Sequence, residues 1–313
     1  MRIKDKIKRP RRPVVAYEIL PPREKDGTLN SYAENISSLL SQTHIDAINI
    51  PEVRDEVARG ERPIKNQVRA EPREFGRLLQ DIVGIEAIVN RVVVHQNIDE
   101  EMKWLEETNL KYEIENLITV GGESRDIRYP GPTVNQALNA ISQNDRLNLL
   151  CGGISIPSRD RESLRLIEKS ENGSEFFTTQ VLYDASKVIK MITHYQKRCD
   201  DKNTFPRRVL LSFAPVSSEK NIKFLKWLGV EIPKKTEESL LKDNARMSEK
   251  SMEITINVLN EILNHLEKNK IKVPIGLNVE HIMSYNFQAS IEMLQELSRI
   301  YREFCIKTTI YKF

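Results

Sequence analysis

Residues 147–182 read LNLLCGGISIPSRDRESLRLIEKSENGSEFFTTQVL, and this stretch decides the fold class. Two runs rich in apolar, β-branched and aromatic residues, Leu147–Ile154 and Phe176–Leu182, enclose the amphipathic, helix-like stretch Arg159–Lys169. A strand, a helix and a second strand joined by short polar connections form a βαβ unit with two parallel strands. The segment therefore predicts an α/β protein with a parallel sheet.

The same alternation of strand and helix extends in both directions along the chain. Six further strands are predicted at Pro13–Ile19, Ile45–Ile50, Ala87–Val94, Leu117–Val120, Arg208–Phe213 and Val273–Val279. Eight βα units of this kind are typical of a closed (β/α)8 TIM barrel rather than an open sheet. We predict one catalytic barrel domain over residues 13–313, preceded by a basic arm at residues 1–12, with an extra helix in the seventh unit.

The composition argues against several classes of protein. Lys and Arg number 48 against 45 Asp and Glu, so a net charge of +3 gives no argument for nucleic acid as a partner. The three cysteines lack the spacing of a metal site or a disulfide framework, and no apolar run approaches the ~20 residues that span a bilayer. We therefore expect a cytoplasmic protein without a metal or a membrane partner. The chain is also expected to assemble as a homo-oligomer.

Much of the positive charge lies in residues 1–12, MRIKDKIKRPRR. A terminus of this composition is expected to be solvated and partly disordered. The alternative is an arm that contacts an anionic partner.

The first strand contains the residue that argues most directly for an active site. Glu18 interrupts an otherwise apolar strand, and a carboxylate is costly to bury there unless it is paired or functional. In TIM barrels the catalytic groups lie at the carboxyl ends of the strands, and Glu18 stands at such an end. We interpret Glu18 as catalytic, with an internal salt bridge as the alternative.

Other strand ends also carry polar groups, which together suit a hydrogen-bonding substrate. Following the strands in order, they are Asn49, His95, the segment Gly121, Gly122 and Glu123, then Ser155, Gln180, Asn278, Glu280 and His281. Each has a structural alternative: the two glycines suit a tight turn, Gln180 suits a structural amide, and His95 and His281 suit satisfied structural histidines.

Three motifs along the chain have the pattern of one enzyme family. Tyr17–Pro22 (YEILPP) looks like a strand motif F-E-F-F-P-P, and Thr178–Asp184 (TTQVLYD) looks like a strand motif I-T-Q-x-x-F-D. Phe213–Val216 followed by Lys223–Pro233 is similar to a G-I-x-P motif and the K-F-x-x-x-x-x-V-x-I-P helix behind it. These motifs, which run in family order from the first strand to the seventh unit, resemble the methylenetetrahydrofolate reductase family.

This resemblance implies an oxidoreductase of one-carbon metabolism and methionine biosynthesis. The reaction would be NAD(P)H-dependent reduction of 5,10-methylenetetrahydrofolate, or of a methylene-tetrahydropterin carrier, to the 5-methyl form. Glu18 would be the general acid, and Gln180, Glu123 and Asn49 would bind the substrate. The cofactor-binding candidates are Gly121, Gly122, Tyr129, Ser155 and His95.

The departures from the family motifs concern the flavin. The fourth strand ends Gly122-Glu123 where the family has R-G-D, and Gly153–Ser158 (GISIPS) replaces the family's A-Y-P-E-x-H. FAD therefore remains one alternative, and direct hydride transfer from NADH is the other. Two further alternatives are a non-catalytic barrel subunit of a larger reductase complex and a barrel that transfers a methyl group from the same pterin.

Overall fold

A computed structural model of the chain contains eight parallel strands that close into a barrel in sequence order, β1 through β8 and back to β1. It describes residues 1–55, 59–124 and 126–310. The strands are β1 (Val15–Glu18), β2 (Ala47–Ile50), β3 (Ala87–Val92), β4 (Asn116–Val120), β5 (Leu150–Ser155), β6 (Phe176–Thr179), β7 (Arg208–Phe213) and β8 (Ile275–Glu280). The predicted (β/α)8 barrel is confirmed, because each predicted strand overlaps an observed one.

The helices surround the barrel and connect consecutive strands. Those in the described part of the chain are α1 (Ile3–Ile7), α2 (Leu29–Leu40), α3 (Pro72–Val83), α4 (Ile98–Leu110), α5 (Val134–Ser142), α6 (Glu162–Glu171), α7 (Ala185–Asp201), α8 (Glu219–Trp227), α9 (Lys234–Leu241), α10 (Met247–Lys268) and α11 (Phe287–Ile310). The seventh connection holds α8, α9 and α10. None of the described helices combines the length and the apolar character that a bilayer span requires.

Strand side chains alternate between two cores because successive residues of a strand point to opposite faces. The residues that face the barrel axis near the amino ends of the strands are apolar, and they form one buried cluster with α1: Val14, Ala16, Ala47, Ile88, Ile118, Leu150, Phe176 and Leu210. The residues on the opposite face, such as Val15, Tyr17 and Ile48, pack with the helices in a larger cluster. The barrel is thus a packed core at its amino end rather than a pore.

The first helix closes the amino end of the barrel. Ile3 and Ile7 of α1 are buried against the axis-facing cluster. Arg208, which is buried at the start of β7, donates hydrogen bonds to the main-chain oxygens of Ile7 and Arg9. The expectation of a solvated, partly disordered terminus is therefore wrong for residues 3–9, because apolar contacts and main-chain hydrogen bonds hold this segment on the barrel.

The basic side chains of this segment have acidic partners within the same chain. Arg2 pairs with Glu115 at 2.5 Å and Lys8 with Glu175 at 2.6 Å, while Lys6 pairs with Asp46. Each of these carboxylates lies one residue before a strand, so together they form an acidic rim around the amino end of the barrel. These three cations are therefore paired within the chain. The alternative of an arm that contacts an anionic partner would have to rely on the other basic residues of the segment.

Candidate active site

Toward the carboxyl ends of the strands, at the mouth of the barrel, the inward-facing positions become polar. Because side chains alternate with a period of two, each apolar inward residue is followed two positions later by another inward residue. The inward polar residues, here called the polar layer, are Glu18, Asn49, Asn90, Thr178, Ser212, Asn278 and Glu280. The polar layer lies at the end of the barrel where TIM-barrel active sites are built.

Glu18 occupies the end of β1 between two polar neighbours. Its Cα partners in the adjacent strands are Asn49 on β2 and Glu280 on β8. The side-chain amide of Asn49 donates a hydrogen bond of 2.8 Å to Oε2 of Glu18. No cation forms an ion pair with Glu18 among the residues that the structure describes, so the alternative of an internal salt bridge finds no support there.

The environment of the two glutamates favours their protonated forms. Burial raises the pKa of Glu18 well above its ordinary value, and the nearby Glu280 carboxylate raises it further. Burial also raises the pKa of Glu280, to about 7, although hydrogen bonds from Ser212 and Asn278 oppose this shift. A carboxyl group that holds its proton near neutral pH can act as a general acid.

Three amide oxygens in the polar layer have no hydrogen-bond donor among the described residues. They are Oδ1 of Asn49, Asn90 and Asn278, and all three residues are buried. The Asn49 and Asn278 amide groups are oriented by their nitrogens, which donate to Glu18 and Glu280. A buried acceptor without a donor costs free energy, so these oxygens suit a ligand with hydrogen-bond donors.

His281 follows β8 and is fixed beneath Glu18. Its Nδ1 lies 3.1 Å from the main-chain oxygen of Glu18, and since a carbonyl oxygen only accepts, Nδ1 carries the hydrogen. Burial lowers the pKa of His281 to about 4, so the ring is neutral at physiological pH. His281 thus supports the main chain at Glu18, in agreement with its interpretation as a structural histidine.

A second group of predicted residues gathers where β3 and β4 end. The ring of Tyr129 lies so close to Gly122 that a Cβ there would be 2.2 Å from the ring. The Tyr129 hydroxyl accepts a hydrogen bond of 3.0 Å from the main-chain nitrogen of Glu123. His95, which is exposed, packs edge-on against Tyr129 at 5.4 Å between ring centroids. Gly121 precedes this turn, so five predicted residues share one surface.

Gln180 and Ser155 have different surroundings. Gln180 directly follows β6, and its side-chain nitrogen donates to the main-chain oxygen of Leu228 at 3.1 Å. It lines a small cleft of about 30 Å³ together with Asp184 and Glu231. Ser155 is buried on the outer face of β5, where its hydroxyl contacts Sδ of Met191 at 3.0 Å. Ser155 is therefore directed toward α7 and not into the polar layer.

The second connection, after β2, reaches the elements that follow β7 and β8. The guanidinium of Arg62 lies 5.3 Å from the ring centroid of Phe224 and 5.0 Å from that of Trp227. The indole nitrogen of Trp227 donates to the main-chain oxygen of Gly60 at 3.2 Å. Residues 59–70 thus form a strap beside the mouth, while residues 56–58 of this connection lie outside the described residues.

The predicted cofactor residues do not fit a flavin as they stand. The main-chain N–H groups of Glu123 and Ser124, which could bind a ligand beside the β4 turn, are directed at the Tyr129 hydroxyl. Ser155 faces α7, and the Tyr129 ring covers Gly122. These contacts therefore leave a reaction step through FAD without support. No cluster of three or more His, Cys, Asp or Glu suited to a metal ion occurs in the described part of the chain.

Sequence reasoning passed over Asn90 and gave no role to Asn278 or Glu280. Asn90 interrupts the apolar run AIVNRVVV just as Glu18 interrupts PVVAYEI, so the same signal was available for it. Asn278 and Glu280 were visible as polar strand-end residues. Their relation to Glu18 depends on the pairing of β8 with β1, which only the closed barrel reveals.

Comparisons with known proteins agree with this architecture. One solved structure superposes with a TM-score of 0.78 and 23% identity over 95% of this chain and 99% of its own: an uncharacterised protein from Clostridium thermocellum that binds two copies of 5-methyl-5,6,7,8-tetrahydrofolic acid. A GH113 β-1,4-mannanase superposes with a TM-score of 0.51 and 7% identity, covering 91% of this chain and 98% of its own. At these identities both likenesses concern the fold alone.

Comparison of the sequence gives one match to a protein-family model. No curated protein sequence matches this chain. Residues 153–297 match the family model for methylenetetrahydrofolate reductase, and this segment contains the Gln180 motif and the helix that follows β7. The match over residues 153–297, in a chain that folds as a (β/α)8 barrel, supports membership of this chain in the methylenetetrahydrofolate reductase family.

Proposed function

We propose that this protein reduces a methylene-tetrahydrofolate or methylene-tetrahydropterin carrier to its 5-methyl form with NAD(P)H, using Glu18 as the general acid. The family match and the folate-binding structural neighbour support a folate-related, reductase-like role. The observation that carries the finer proposal is the position of Glu18: an inward-facing carboxyl at the end of β1, without a cationic partner among the described residues and with a raised pKa.

The chemistry assigned to Glu18 is the opening of the five-membered ring of the carrier. Glu18 gives its proton to one of the two nitrogens bridged by the methylene carbon, and the bond between that nitrogen and the carbon breaks. The carbon becomes an iminium on the other nitrogen and accepts a hydride from the dihydronicotinamide. The products are the 5-methyl carrier and NAD(P)+, and Glu18 recovers a proton from solvent. A positioned general acid typically contributes about 10²–10⁴-fold to such a step.

A pterin is the class of ligand that suits the polar layer. The aminopyrimidine edge of a pterin presents N–H donors side by side, and the layer offers acceptors, including the amide oxygens of Asn49, Asn90 and Asn278. Buried polar groups in a binding site fix the orientation of the ligand when their partners are supplied by it. We assign substrate contacts to Asn49, Gln180 and Glu123, with Gln180 turning from the oxygen of Leu228 toward the ligand.

NAD(P)H is proposed as the hydride donor, and the presence of a flavin is decided by the spectrum of the purified protein. A flavin gives a visible absorbance band, whereas a protein that transfers hydride directly is colourless. Oxidation of NADH and of NADPH with and without added FAD then identifies the reductant. Methyl transfer by a similar barrel would show no dependence on a nicotinamide.

Replacement of Glu18 tests the assignment of the general acid. We expect Glu18→Gln to lower the rate of NAD(P)H-dependent reduction by about 10²–10⁴-fold while the far-UV circular dichroism stays unchanged. Glu115→Gln is the matched control, because Glu115 lies before β4 at the opposite end of the barrel and pairs with Arg2. Turnover of the Glu18→Gln variant near that of the control would refute the role of Glu18.

A further inference from the structure

The closure of the barrel places a second carboxyl group beside Glu18. Glu280 is the direct partner of Glu18 in the register between β8 and β1, and adjacent strands lie only about 4.8 Å apart. Both side chains face the polar layer, where Asn49 donates to Glu18 and Asn278 donates to Glu280 at 3.0 Å. The two carboxyl groups therefore lie next to each other at the mouth of the barrel.

From this juxtaposition we infer that Glu280 is a positioning residue for proton transfer: as a carboxylate it keeps the catalytic proton on Glu18 until the substrate takes it. This inference rests on the proposed role of Glu18 as the general acid. It assigns a role to Glu280, for which the proposed function gives none.

The hydrogen bonds around the pair decide which carboxyl carries the proton. Asn278 donates to Glu280 at 3.0 Å, and the hydroxyl of Ser212, which also contacts Asn278, lowers the pKa of Glu280, whereas Glu18 receives one hydrogen bond, from Asn49. Donors stabilise the charged form of a carboxyl group. The charge is therefore favoured on Glu280 and the proton on Glu18, which agrees with the direction in which Glu280 shifts the pKa of Glu18.

The repulsion between the two carboxylates also explains why Glu18 would release its proton only during the reaction. Two carboxylates on directly paired positions of adjacent strands repel each other, so ionisation of Glu18 in the resting site is unfavourable. A substrate nitrogen that gains positive charge offsets this cost because it faces two negative groups. After transfer, the ionised pair favours the uptake of a new proton from solvent, which resets Glu18 for the next turnover.

The other titratable groups around Glu18 and Glu280 do not take the place of the Glu280 carboxylate in its effect on Glu18. His281, which supports the main chain of Glu18, is neutral above a pKa of about 4. Tyr183, on the β6 side of Glu280, donates its hydroxyl hydrogen to the main-chain oxygen of Ala214 at 2.6 Å. Arg69 of the strap contributes to the lowered pKa of His281 through its charge, and it donates to the main-chain oxygen of Pro21 at 2.6 Å.

The experiment is the pH dependence of kcat/KM for the wild type, Glu280→Gln and the control Glu115→Gln. Without the charge at position 280, Glu18 should lose its proton more easily, so the alkaline limb should move down by about one pH unit or more. At a pH above the wild-type limb the loss of rate in the variant should be about tenfold larger than its loss at acidic pH. An unchanged limb, or an equal loss at every pH, would overturn the inference.

A second readout does not depend on turnover. Infrared difference spectroscopy follows the carbonyl stretch of a protonated carboxyl group, and Glu18→Gln identifies the band that belongs to Glu18. This band should persist to higher pH in the wild type than in Glu280→Gln. If the band shifts in Glu280→Gln but no reduction occurs in any variant, the proposed function is wrong and the inference about Glu280 is supported. If reduction requires Glu18 but the band does not change in Glu280→Gln, only the inference about Glu280 is wrong.

Discussion

The raised pKa of the half-buried Glu280 carboxyl leads to a prediction about the stability of the fold that does not depend on any activity. Burial raises the pKa of Glu280 from an ordinary 4.5 to about 7 in the folded protein. Between these two values the unfolded chain releases the proton while the folded protein keeps it. The folded state therefore loses stability as the pH rises through this window. Glu280→Gln removes the ionisation and should remove this loss.

The size of this loss of stability follows from the difference between the pKa values of Glu280 in the folded and the unfolded state. Each unit of difference in pKa corresponds to about 1.4 kcal/mol, so the shift of Glu280 costs the folded state about 3 kcal/mol above its folded pKa. Below the unfolded pKa both forms are protonated and the cost vanishes. The variant should therefore equal the wild type near pH 4.5 and exceed it by about 3 kcal/mol above pH 7. The amide oxygen that the substitution introduces at position 280 can still accept the hydrogen bond from Asn278, so the variant retains this contact.

Equilibrium unfolding by urea, followed by far-UV circular dichroism at about pH 4.5 and about pH 8.5, measures the difference. Glu115→Gln is again the control, and because it breaks a surface ion pair with Arg2 it should change stability by only about 0–1 kcal/mol. A Glu280→Gln difference that is the same at both pH values would refute the reasoning, since only a protonation difference between folded and unfolded states produces the slope.

Two further predictions concern the β4 turn and the amino end of the barrel. Gly122→Ala should destabilise the protein by about 1–3 kcal/mol, because the new Cβ meets the Tyr129 ring at 2.2 Å. Gly121→Ala, whose Cβ would lie 3.4 Å from Val134, should stay within about 0.5 kcal/mol of the wild type, with both variants measured by thermal unfolding. Ile7→Ala should cost about 2–5 kcal/mol because Ile7 is buried in the axis-facing core. Equal unfolding temperatures for Ile7→Ala and the exposed control Arg11→Ala would contradict the role of α1 in closing the amino end of the barrel.

The barrel could be predicted from the sequence because its strands are short, apolar and regularly spaced. The amino-terminal segment could not, because its partners are remote in sequence. Counting charges in residues 1–12 shows a basic excess. It does not show that Asp46, Glu86 and Glu115 precede three consecutive strands and meet at the rim where that segment lies.

For the site, the sequence identified single residues better than their relations. Glu18 could be found because a carboxylate in an apolar strand is conspicuous. The orientation of Ser155 toward Met191 could not be found, since it depends on which face of β5 meets the axis. The pairing of Glu18 with Glu280 joins the first strand to the last and requires the closure of the barrel.

The two ends of this barrel differ in how their charged groups are paired, although Asn116 at the amino end also has an amide oxygen without a donor among the described residues. At the amino end, Arg208 is buried but surrounded by main-chain acceptors, and the cations of the first segment meet carboxylates. At the carboxyl end, two carboxyl groups lie side by side and the amide oxygen of Asn90 lacks a donor within the described residues. The first arrangement stabilises the fold, whereas the second costs stability in the absence of a ligand. Since the same strands supply both ends, a failure to pack does not explain the difference. The unsatisfied end is where a donor-bearing substrate would gain most by binding.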